Sequence, residues 1–259
     1  MLVDSHCHLE YEGLIETQED VLDRARNNGV GAFLNISTKQ TEWDQVVATA
    51  NAKPDVWASV GIHPHHADEH GGLTRDVLLT ATKDDRVIGL GETGLDYFYE
   101  HSDRAAQKAL FRLHIDVSRE TGLPLIIHTR DAEDDTLAIL TEEMGKGAFP
   151  ALVHCFTASA DFGEAVLALG LSISLSGIVT FKNATDLQAF AKTVPQDRLL
   201  VETDSPFLAP VPHRGKTCEP GYVRETAAFV AQLRGENADV LAHYTTDNFY
   251  RLFAKATRP

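Results

Sequence analysis

Short apolar and β-branched runs alternate with longer amphipathic segments along this chain, and that alternation restricts the possible folds more than any other feature. The short runs predict eight strands, at residues 2–5, 31–36, 56–62, 87–91, 124–128, 151–154, 171–175 and 199–202. Helical patterns occupy residues 17–28, 102–121, 131–144, 160–169 and 183–193, and the part after Pro220 is also predicted to be helical. Eight strand–helix units within 259 residues are typical of one (β/α)8 barrel domain of the TIM type, spanning residues 1–259. A doubly wound open sheet would show the same alternation and is the alternative.

Helix boundaries are predicted from capping residues. Thr17 is expected to cap the helix that ends before Gly29, and Ser102 is expected to be the N-cap of the helix over 102–121. Gly122 directly follows that helix, at the position where glycine most often ends one. His114 lies inside this helix beside apolar residues, so we expect it to be a packed core residue.

The composition is that of a globular protein. The uncharged stretch 165–181 is shorter than the roughly 20 residues of a membrane span, and its glycines and serines predict a helix end followed by a strand. The first residues lack the basic and apolar pattern of a signal peptide, and three cysteines without CxxC spacing argue against a disulfide framework. We therefore expect a cytoplasmic protein that contacts no membrane and has no obligate protein partner.

The net charge further restricts the classes of molecule that this protein can bind. The chain has 23 Lys and Arg against 38 Asp and Glu, a formal charge of −15. Such a balance argues against a protein that coats a nucleic-acid backbone, because that binding depends on neutralising many phosphates. The negative net charge does not exclude an enzyme that binds one or two phosphates at a local site.

Polar residues, most of them of metal-ligand types, recur where the predicted strands end. They are His6 and His8 after the first strand, His63 and His65 after the third, Glu92 after the fourth, His128 and Arg130 at the fifth, His154 at the sixth and Asp204 after the eighth. Strand carboxyl ends converge on one mouth in a barrel, where active sites lie, but spread along a line in an open sheet. Alternation in an extended segment puts both His6 and His8 on one side and Cys7 on the other. Cys155 follows His154 as Cys7 follows His6, so we expect both cysteines to point outward, and we interpret them as small buried apolar residues.

These residue types suit a binuclear metal site. Imidazole with carboxylate suits Zn²⁺, Mn²⁺, Fe²⁺ or Ni²⁺, whereas Mg²⁺ prefers an oxygen shell, so the metal identity stays open among these five ions. Four histidines and two carboxylates are too many donors for one tetrahedral ion. They suit two ions about 3.5–4 Å apart with one bridging carboxylate, a pair that can bind a hydroxide nucleophile at neutral pH.

Seven motifs carry a family resemblance over nearly the whole chain. They are DSHCHL, GIHPH, GETGLDY, LPLIIHTRDA, VHCF, ETDSPFLAP and HRG followed by EP. In this order and approximate spacing the chain resembles the TatD family of metal-dependent hydrolases and deoxyribonucleases, among the amidohydrolase-like barrels. The resemblance implies a (β/α)8 barrel that binds two divalent cations. His6, His8 and Asp204 would hold the first, His128 and His154 the second, and Glu92 would bridge. Cys218, in the loop HRGKTCEP, stands where the family usually has asparagine.

The function predicted first is cleavage of DNA phosphodiester bonds, with trimming of single-stranded ends. Asp204 would accept the proton of the nucleophile, and Glu92 would act through the metals that it bridges. Four further residues are candidates for substrate binding: His63, His65, Arg130 and Arg214. Arg130 could instead pair with an acid at the rim, His65 could support a ligand, and the rings of residues 97–99 could stack on bases or simply pack.

Two other classes stay open at the sequence level. The same binuclear site could hydrolyse a carboxylic ester, an amide or a lactone. The third class is a metal-binding protein without catalysis, which the complete set of ligand positions disfavours. Cationic side chains directed at the metals would favour the phosphodiesterase.

Overall fold

The computed structural model describes residues 1–258. Its strands form one parallel eight-stranded sheet in the order β1 to β8. They are β1 Leu2–Cys7, β2 Val30–Asn35, β3 Val56–Val60, β4 Val87–Asp96, β5 Leu125–Arg130, β6 Ala151–Val153, β7 Ser172–Leu175 and β8 Leu199–Val201. The predicted (β/α)8 barrel and its eight strands are therefore confirmed.

Closure of the barrel occurs between β1 and the segment that follows β8. The Ser5 hydroxyl donates to the Val201 carbonyl over 3.0 Å, and Cys7 pairs with Ser205 in a parallel bridge. The His8 amide donates to the Ser205 carbonyl over 2.8 Å, and the Asp204 amide donates to the His6 carbonyl over 2.9 Å. These backbone bonds bring the residues after β1 and β8 to one place at the carboxyl ends of the strands.

The helices surround the sheet. They are α1 Gln18–Asn27, α2 Trp43–Ala52, α3 Arg75–Ala81, α4 Arg104–Thr121, α5 Glu133–Lys146, α6 Ala160–Ala168, α7 Thr185–Ala191, α8 Val223–Arg234 and α9 Ala238–Leu252. No helix within residues 1–258 is long and apolar enough to cross a membrane. The stretch 165–181 is the end of α6, then β7 and a short 3₁₀ turn, as predicted.

The start of α4 differs from the prediction, whereas Thr17 is at the predicted N-cap position of α1. Asp103, not Ser102, is the N-cap of α4, because its carboxylate accepts the amides of Ala105 and Ala106. The Ser102 hydroxyl instead donates to the His65 carbonyl over 2.8 Å. Thr17 precedes α1 but makes no side-chain cap bond. At the other end of α4, Gly122 adopts a φ of 72°, the left-handed conformation expected there.

Two clusters of buried residues make up the core. Alternate strand residues, among them Val3, Ile88 and Leu152, fill the interior and pack against Phe249 and Phe253 at the end of α9. A larger cluster fills the layer between the strands and the surrounding helices. Because α9 covers the amino end of the interior, the polar residues at the carboxyl end are the ones that face a cavity.

Strand β4 is longer than predicted. The sequence reading ended it at Gly91, but the strand continues to Asp96 because residues 93–96 pair with β5, Gly94 opposite His128 and Asp96 opposite Arg130. A Cβ at Gly94 would lie 2.0 Å from the His128 carbonyl oxygen. Glycine therefore permits the close approach that aligns Glu92, Asp96 and His128.

Candidate metal centre

A cavity of about 680 Å³ opens at the carboxyl ends of the strands, and Glu92 lies in its wall. Its size is within the usual range for ligand pockets. The glutamate side chain is almost fully buried. Nine of the ten predicted site residues lie in the cavity wall or in direct contact with a residue of that wall: His6, His8, His63, His65, Glu92, His128, Arg130, His154 and Asp204.

The two carboxylate oxygens of Glu92 face two different groups of histidines. Oε2 lies 3.5 Å from His6 Nε2 and 3.9 Å from His8 Nε2. Oε1 lies 2.7 Å from His154 Nε2 and 3.0 Å from His128 Nδ1. One carboxylate thus has a separate oxygen for each of two neighbouring donor groups.

Asp204 completes the first group. Its Oδ1 lies 3.4 Å from His8 Nε2 and 3.5 Å from His6 Nε2, and these two nitrogens are 3.2 Å apart. Asp204 has a φ of 61°, a conformation uncommon for a residue with a side chain. The buried carboxylate of Asp4 holds the turn before it by accepting the amide and the hydroxyl of Thr203, over 2.9 and 2.6 Å.

Three of the four histidines that the sequence predicted as ligands have a partner on their second ring nitrogen. His128 Nε2 lies 2.9 Å from Asp96 Oδ2, and His154 Nδ1 lies 3.3 Å from Glu202 Oε1. His8 Nδ1 lies 3.2 Å from the Ile36 carbonyl oxygen. Carboxylates and carbonyls in this position orient metal-binding histidines and make them better donors. His6 Nδ1 is buried without a partner.

Sequence reasoning did not assign Asp96 or Glu202. The sequence contains a pattern that could have identified each of them. Asp96 lies in the same motif as Glu92, and Glu202 stands two residues before Asp204 at the end of a strand. Glu202 is fully buried and also accepts the Cys155 amide over 2.7 Å and the Ser174 hydroxyl. Their role depends on contacts with His128 and His154, which are distant in sequence.

The electrostatics favour a cation at this centre. Burial opposes ionisation of Glu92, but the neighbouring imidazoles of His154 and His63 outweigh it and keep the pKa of the carboxyl well below its usual range. Burial also opposes ionisation of Asp204, and the bond to His8 together with the charge of His6 lowers the pKa of that carboxyl. No Lys or Arg of residues 1–258 pairs with either carboxylate. Two ionised carboxylates among imidazoles form a donor set that fits divalent metal ions.

Several groupings of three donors are compact enough to bind an ion. Their ligand atoms lie within 4.8 Å of one another in the sets His6, His8 and Glu92; His63, Glu92 and His128; and His6, His154 and Glu202. The first set contains three of the four donors predicted for the first metal, without Asp204, and none of these three sets contains both His128 and His154, the histidines predicted for the second. The second set brings in His63, predicted only as a substrate contact, whose Nε2 is 3.5 Å from Glu92 Oε1.

The predicted substrate contacts have different positions. His65 borders the cavity with Nε2 2.9 Å from Asp96 Oδ2. Arg130 also borders it, with its guanidinium over the rings of Phe98 and Tyr99 at 3.9 and 4.8 Å. Arg214 does not border the cavity. Its guanidinium lies 3.7 Å over the ring of Phe181 instead.

The cysteine predictions are half correct. Cys7 is buried and its thiol lies 3.4 Å from the Leu34 carbonyl oxygen, away from the histidines as predicted. Cys155 was predicted to point outward, and this is wrong: it borders the cavity, with Sγ 3.1 Å from Ser176 Oγ. Strand alternation does not extend to it, because β6 ends at Val153 and Cys155 has a φ of 43°. His114 is a fully buried core residue, as predicted.

A barrel with this donor set at its carboxyl mouth defines the class of metal-dependent hydrolases. The family model described as "TatD related DNase" matches residues 3–254. The chain belongs to this family.

The similarity to known proteins extends over almost the full length of this chain. The chain is 44% identical over 255 residues to the "uncharacterized metal-dependent hydrolase YcfH" of Escherichia coli K12, covering 97% of this chain and 95% of the relative. It is 34% identical to the "3'-5' ssDNA/RNA exonuclease TatD" of Erwinia billingiae, covering 97% and 98%. Among solved structures, the TatD homologue YJJV of Escherichia coli K12 superposes with a TM-score of 0.91 at 27% identity, covering 98% of each chain. This protein is therefore a hydrolytic enzyme of the metal-dependent type.

Proposed function

We propose that this enzyme uses two divalent cations to hydrolyse phosphodiester bonds, and that it removes nucleotides from the ends of single-stranded DNA. The observation that carries the proposal is Glu92, whose two oxygens face separate donor groups. His6, His8 and Asp204 would hold one cation, His128 and His154 the other, and Glu92 both. Bound there, the two cations would supply Lewis-acid stabilisation of phosphate oxygens and lower the pKa of water.

Asp204 is the proposed proton acceptor. Its carboxylate is ionised, it points into the cavity, and its side chain is 15% exposed, so a water molecule can reach it. The hydrogen bond from the Asp204 amide to the His6 carbonyl fixes the position of Asp204 relative to the histidines of the first group. A positioned base of this kind contributes about 10²–10⁴-fold to a rate.

Arg130 favours a phosphate ester over a carboxylic ester. It is a cation at the cavity wall, its planar guanidinium suits phosphate oxygens, and it forms no ion pair within residues 1–258. His63 and His65, in the same wall, are further proposed contacts for the phosphate or the leaving oxygen. Arg214, outside the cavity, would contact only a nucleotide that extends beyond it.

The Erwinia relative supports the direction and the strand preference. Its name specifies a 3'-5' exonuclease on single-stranded DNA and RNA. By analogy we propose removal of nucleotides from the 3' end, with single-stranded RNA as a second substrate to test.

The test uses the Asp204→Asn variant and a panel of substrates with metal-loaded protein. The panel contains end-labelled single-stranded DNA and RNA, duplex DNA, and carboxylic esters and lactones. We expect single strands to be shortened from one end, and kcat to fall about 10²–10⁴-fold in the variant, with Asp20→Asn, an exposed position, as the matched control. Near-normal kcat at full metal occupancy would exclude Asp204 as the base. Turnover of an ester or lactone without any phosphodiester cleavage would instead establish the alternative hydrolase.

A further inference from the structure

The strongly exposed aromatic rings within residues 1–258 lie around the mouth of the metal cavity. Of the large apolar side chains that are strongly exposed within residues 1–258, three are aromatic: Phe98 at 52%, Tyr99 at 48% and Phe207 at 50%. Tyr99 and Phe207 both border the metal cavity, and Phe98 contacts Tyr99 with ring centroids 4.7 Å apart. Exposed rings grouped around a site usually mark a binding surface.

Phe98, Tyr99 and Arg130 form one unit, here called the rim platform. The Arg130 guanidinium lies over both rings, 3.9 Å from the centroid of Phe98 and 4.8 Å from that of Tyr99. Tyr97 is not part of it, because its hydroxyl donates to Asp135 over 2.7 Å and its ring packs against the core. The rim platform therefore presents a cation and two half-exposed ring surfaces beside the metal centre.

Phe207 lies on the other side of the cavity mouth. Its ring makes edge contacts with Tyr11, at 6.0 Å between centroids, and with His8, at 6.4 Å. Phe207 follows β8 and contacts residues after β1, whereas the rim platform follows β4 and ends β5. In the strand order β1 to β8 these two positions are four strands apart, which places them across the mouth from each other.

The metal donors lie between these two aromatic positions. His6, His8 and Asp204 come from the β1 and β8 side, and Glu92 and His128 come from the β4 and β5 side. A chain that crossed the mouth from Phe207 to the rim platform would pass over both donor groups. A bond cleaved at the metals would then have one aromatic position on each side.

We propose that Phe207 and the rim platform hold the two unstacked bases that flank the scissile phosphate of a single-stranded nucleic acid. This inference rests on the proposed phosphodiesterase function. Aromatic rings beside a cation are the usual means of binding single strands, because every base has a face that stacks on a ring and the cation pairs with the backbone. The rim platform takes one base on its exposed surface, its Arg130 takes the phosphate next to that base, and Phe207 takes the base on the other side. Duplex ends would bind poorly, because their bases are already stacked.

The test is a binding experiment with Tyr99→Ala and Phe207→Ala, each made in the Asp204→Asn background to suppress cleavage and loaded with metal. The probe is a fluorescent single-stranded oligonucleotide, with Kd from fluorescence anisotropy. Tetrahydrofuran residues, which lack a base, replace one nucleotide at a time. Stacking predicts that each variant weakens binding of the intact strand about 5- to 150-fold. For each variant, the loss of affinity should vanish when the nucleotide that stacks on the substituted ring carries no base. The position of that nucleotide in the strand should differ between Tyr99→Ala and Phe207→Ala.

The control is Val240→Ala, which removes an exposed apolar side chain on α9, away from the cavity. Metal content and Tm of every variant should match those of the Asp204→Asn protein, because both rings are half exposed. Unchanged binding, or a loss that persists without any base, would overturn the proposal and leave the rings as packing residues. If the wild-type enzyme cleaves DNA but neither ring substitution changes binding, this inference alone is refuted. Absence of phosphodiester cleavage by the parent enzyme refutes the proposed function, and the inference with it.

Discussion

At the scale of single residues, three of the four donor histidines of the centre are held by a second group. Asp96 holds His128, Glu202 holds His154, and the Ile36 carbonyl holds His8. Glu92 differs from these donors because its two oxygens face separate histidine groups. The proposed two-metal site therefore depends more on Glu92 than on any other residue.

We expect Glu92→Gln to weaken both metal sites. The amide keeps the size of the side chain but loses the charge and one of the two oxygens, so one ion loses its oxygen ligand and the other keeps only a neutral, weaker one. The parent should retain two ions per chain by mass-spectrometric metal analysis after purification without chelators, and the variant fewer. Glu164→Gln, at an exposed position, is the control. A parent that saturates at one ion, with no effect of Glu92→Gln, would exclude the bridging role.

His114 gives a prediction about acid stability that is independent of the metals. Its Nδ1 donates to the Leu110 carbonyl over 2.8 Å and its Nε2 accepts the Ile62 amide over 3.2 Å, which requires a neutral ring. Burial lowers the pKa of His114 from 6.5 to about 4. The unfolded chain therefore binds this proton more readily between these values, and stability falls as the pH drops from 6.5 to about 4.

The corresponding variant is His114→Gln, whose amide oxygen can still accept the Ile62 amide. Between pH 6.5 and about 4, its free energy of unfolding should depend less steeply on pH than that of the parent, by up to about 1.4 kcal/mol per pH unit. Urea denaturation at several pH values measures this difference. His243→Gln, at an exposed histidine, should leave the slope unchanged. Parallel pH profiles for parent and His114→Gln would mean that His114 does not titrate with a lowered pKa.

At the scale of elements, the pairing of β4 with β5 aligns the site. Glu92 and Asp96 lie on β4, and the His128 between them in space lies on β5. The two strands approach closely at Gly94, which has a φ of 139° and no room for a Cβ. A side chain at this position would push against the backbone of the residue that bears the imidazole.

We expect Gly94→Ala to reduce both stability and metal affinity. Gly122→Ala is the matched control, because Gly122 also has a positive φ, of 72°, but open space around it. The control should lose about 1–2 kcal/mol from backbone strain alone. Gly94→Ala should lose about 1–3 kcal/mol more from the clash, and only this variant should bind metal more weakly. Urea denaturation and metal titration measure the two effects. Equal losses, with metal binding intact, would mean that the strands adjust without moving His128.

At the scale of the whole molecule, the formal charge of −15 opposes the binding of a polyanionic substrate. The end of α9 packs against the interior residues of the barrel, and the metal cavity opens at the carboxyl mouth. Cations bound there, together with Arg130, would reverse the local field. Binding of nucleic acid should therefore involve few phosphates.

The salt dependence tests this expectation. Single-strand binding loses about 0.7 in log K per log unit of salt for each phosphate neutralised. With about two to four phosphates held, the slope should be roughly −1 to −3, and short oligonucleotides should be cut nearly as well as long ones. The measurement is kcat/KM for oligonucleotides of increasing length at several salt concentrations and fixed metal. A steeper slope, with efficiency that keeps rising with length, would indicate an extended basic surface.

The sequence alone was sufficient for the barrel and for the set of residues around its mouth. Strand and helix periodicities are local, so eight alternating units could be recognised without any knowledge of their contacts. The carboxyl end of a parallel strand is also a local feature. Because a barrel brings all such ends to one mouth, His6, Glu92 and Asp204 could be grouped although they are far apart in the chain.

Only the tertiary structure decided how these residues are held and which of them face the cavity. Asp96 and Glu202 act through histidines 32 and 48 residues away, and no local pattern encodes such a contact. Arg214 packs on Phe181 instead of bordering the cavity, and Cys155 borders it because the strand ends before the cysteine. Side-chain direction outside regular strands depends on backbone angles that long-range packing sets, whereas the period of a strand or a helix is set by the local chain itself.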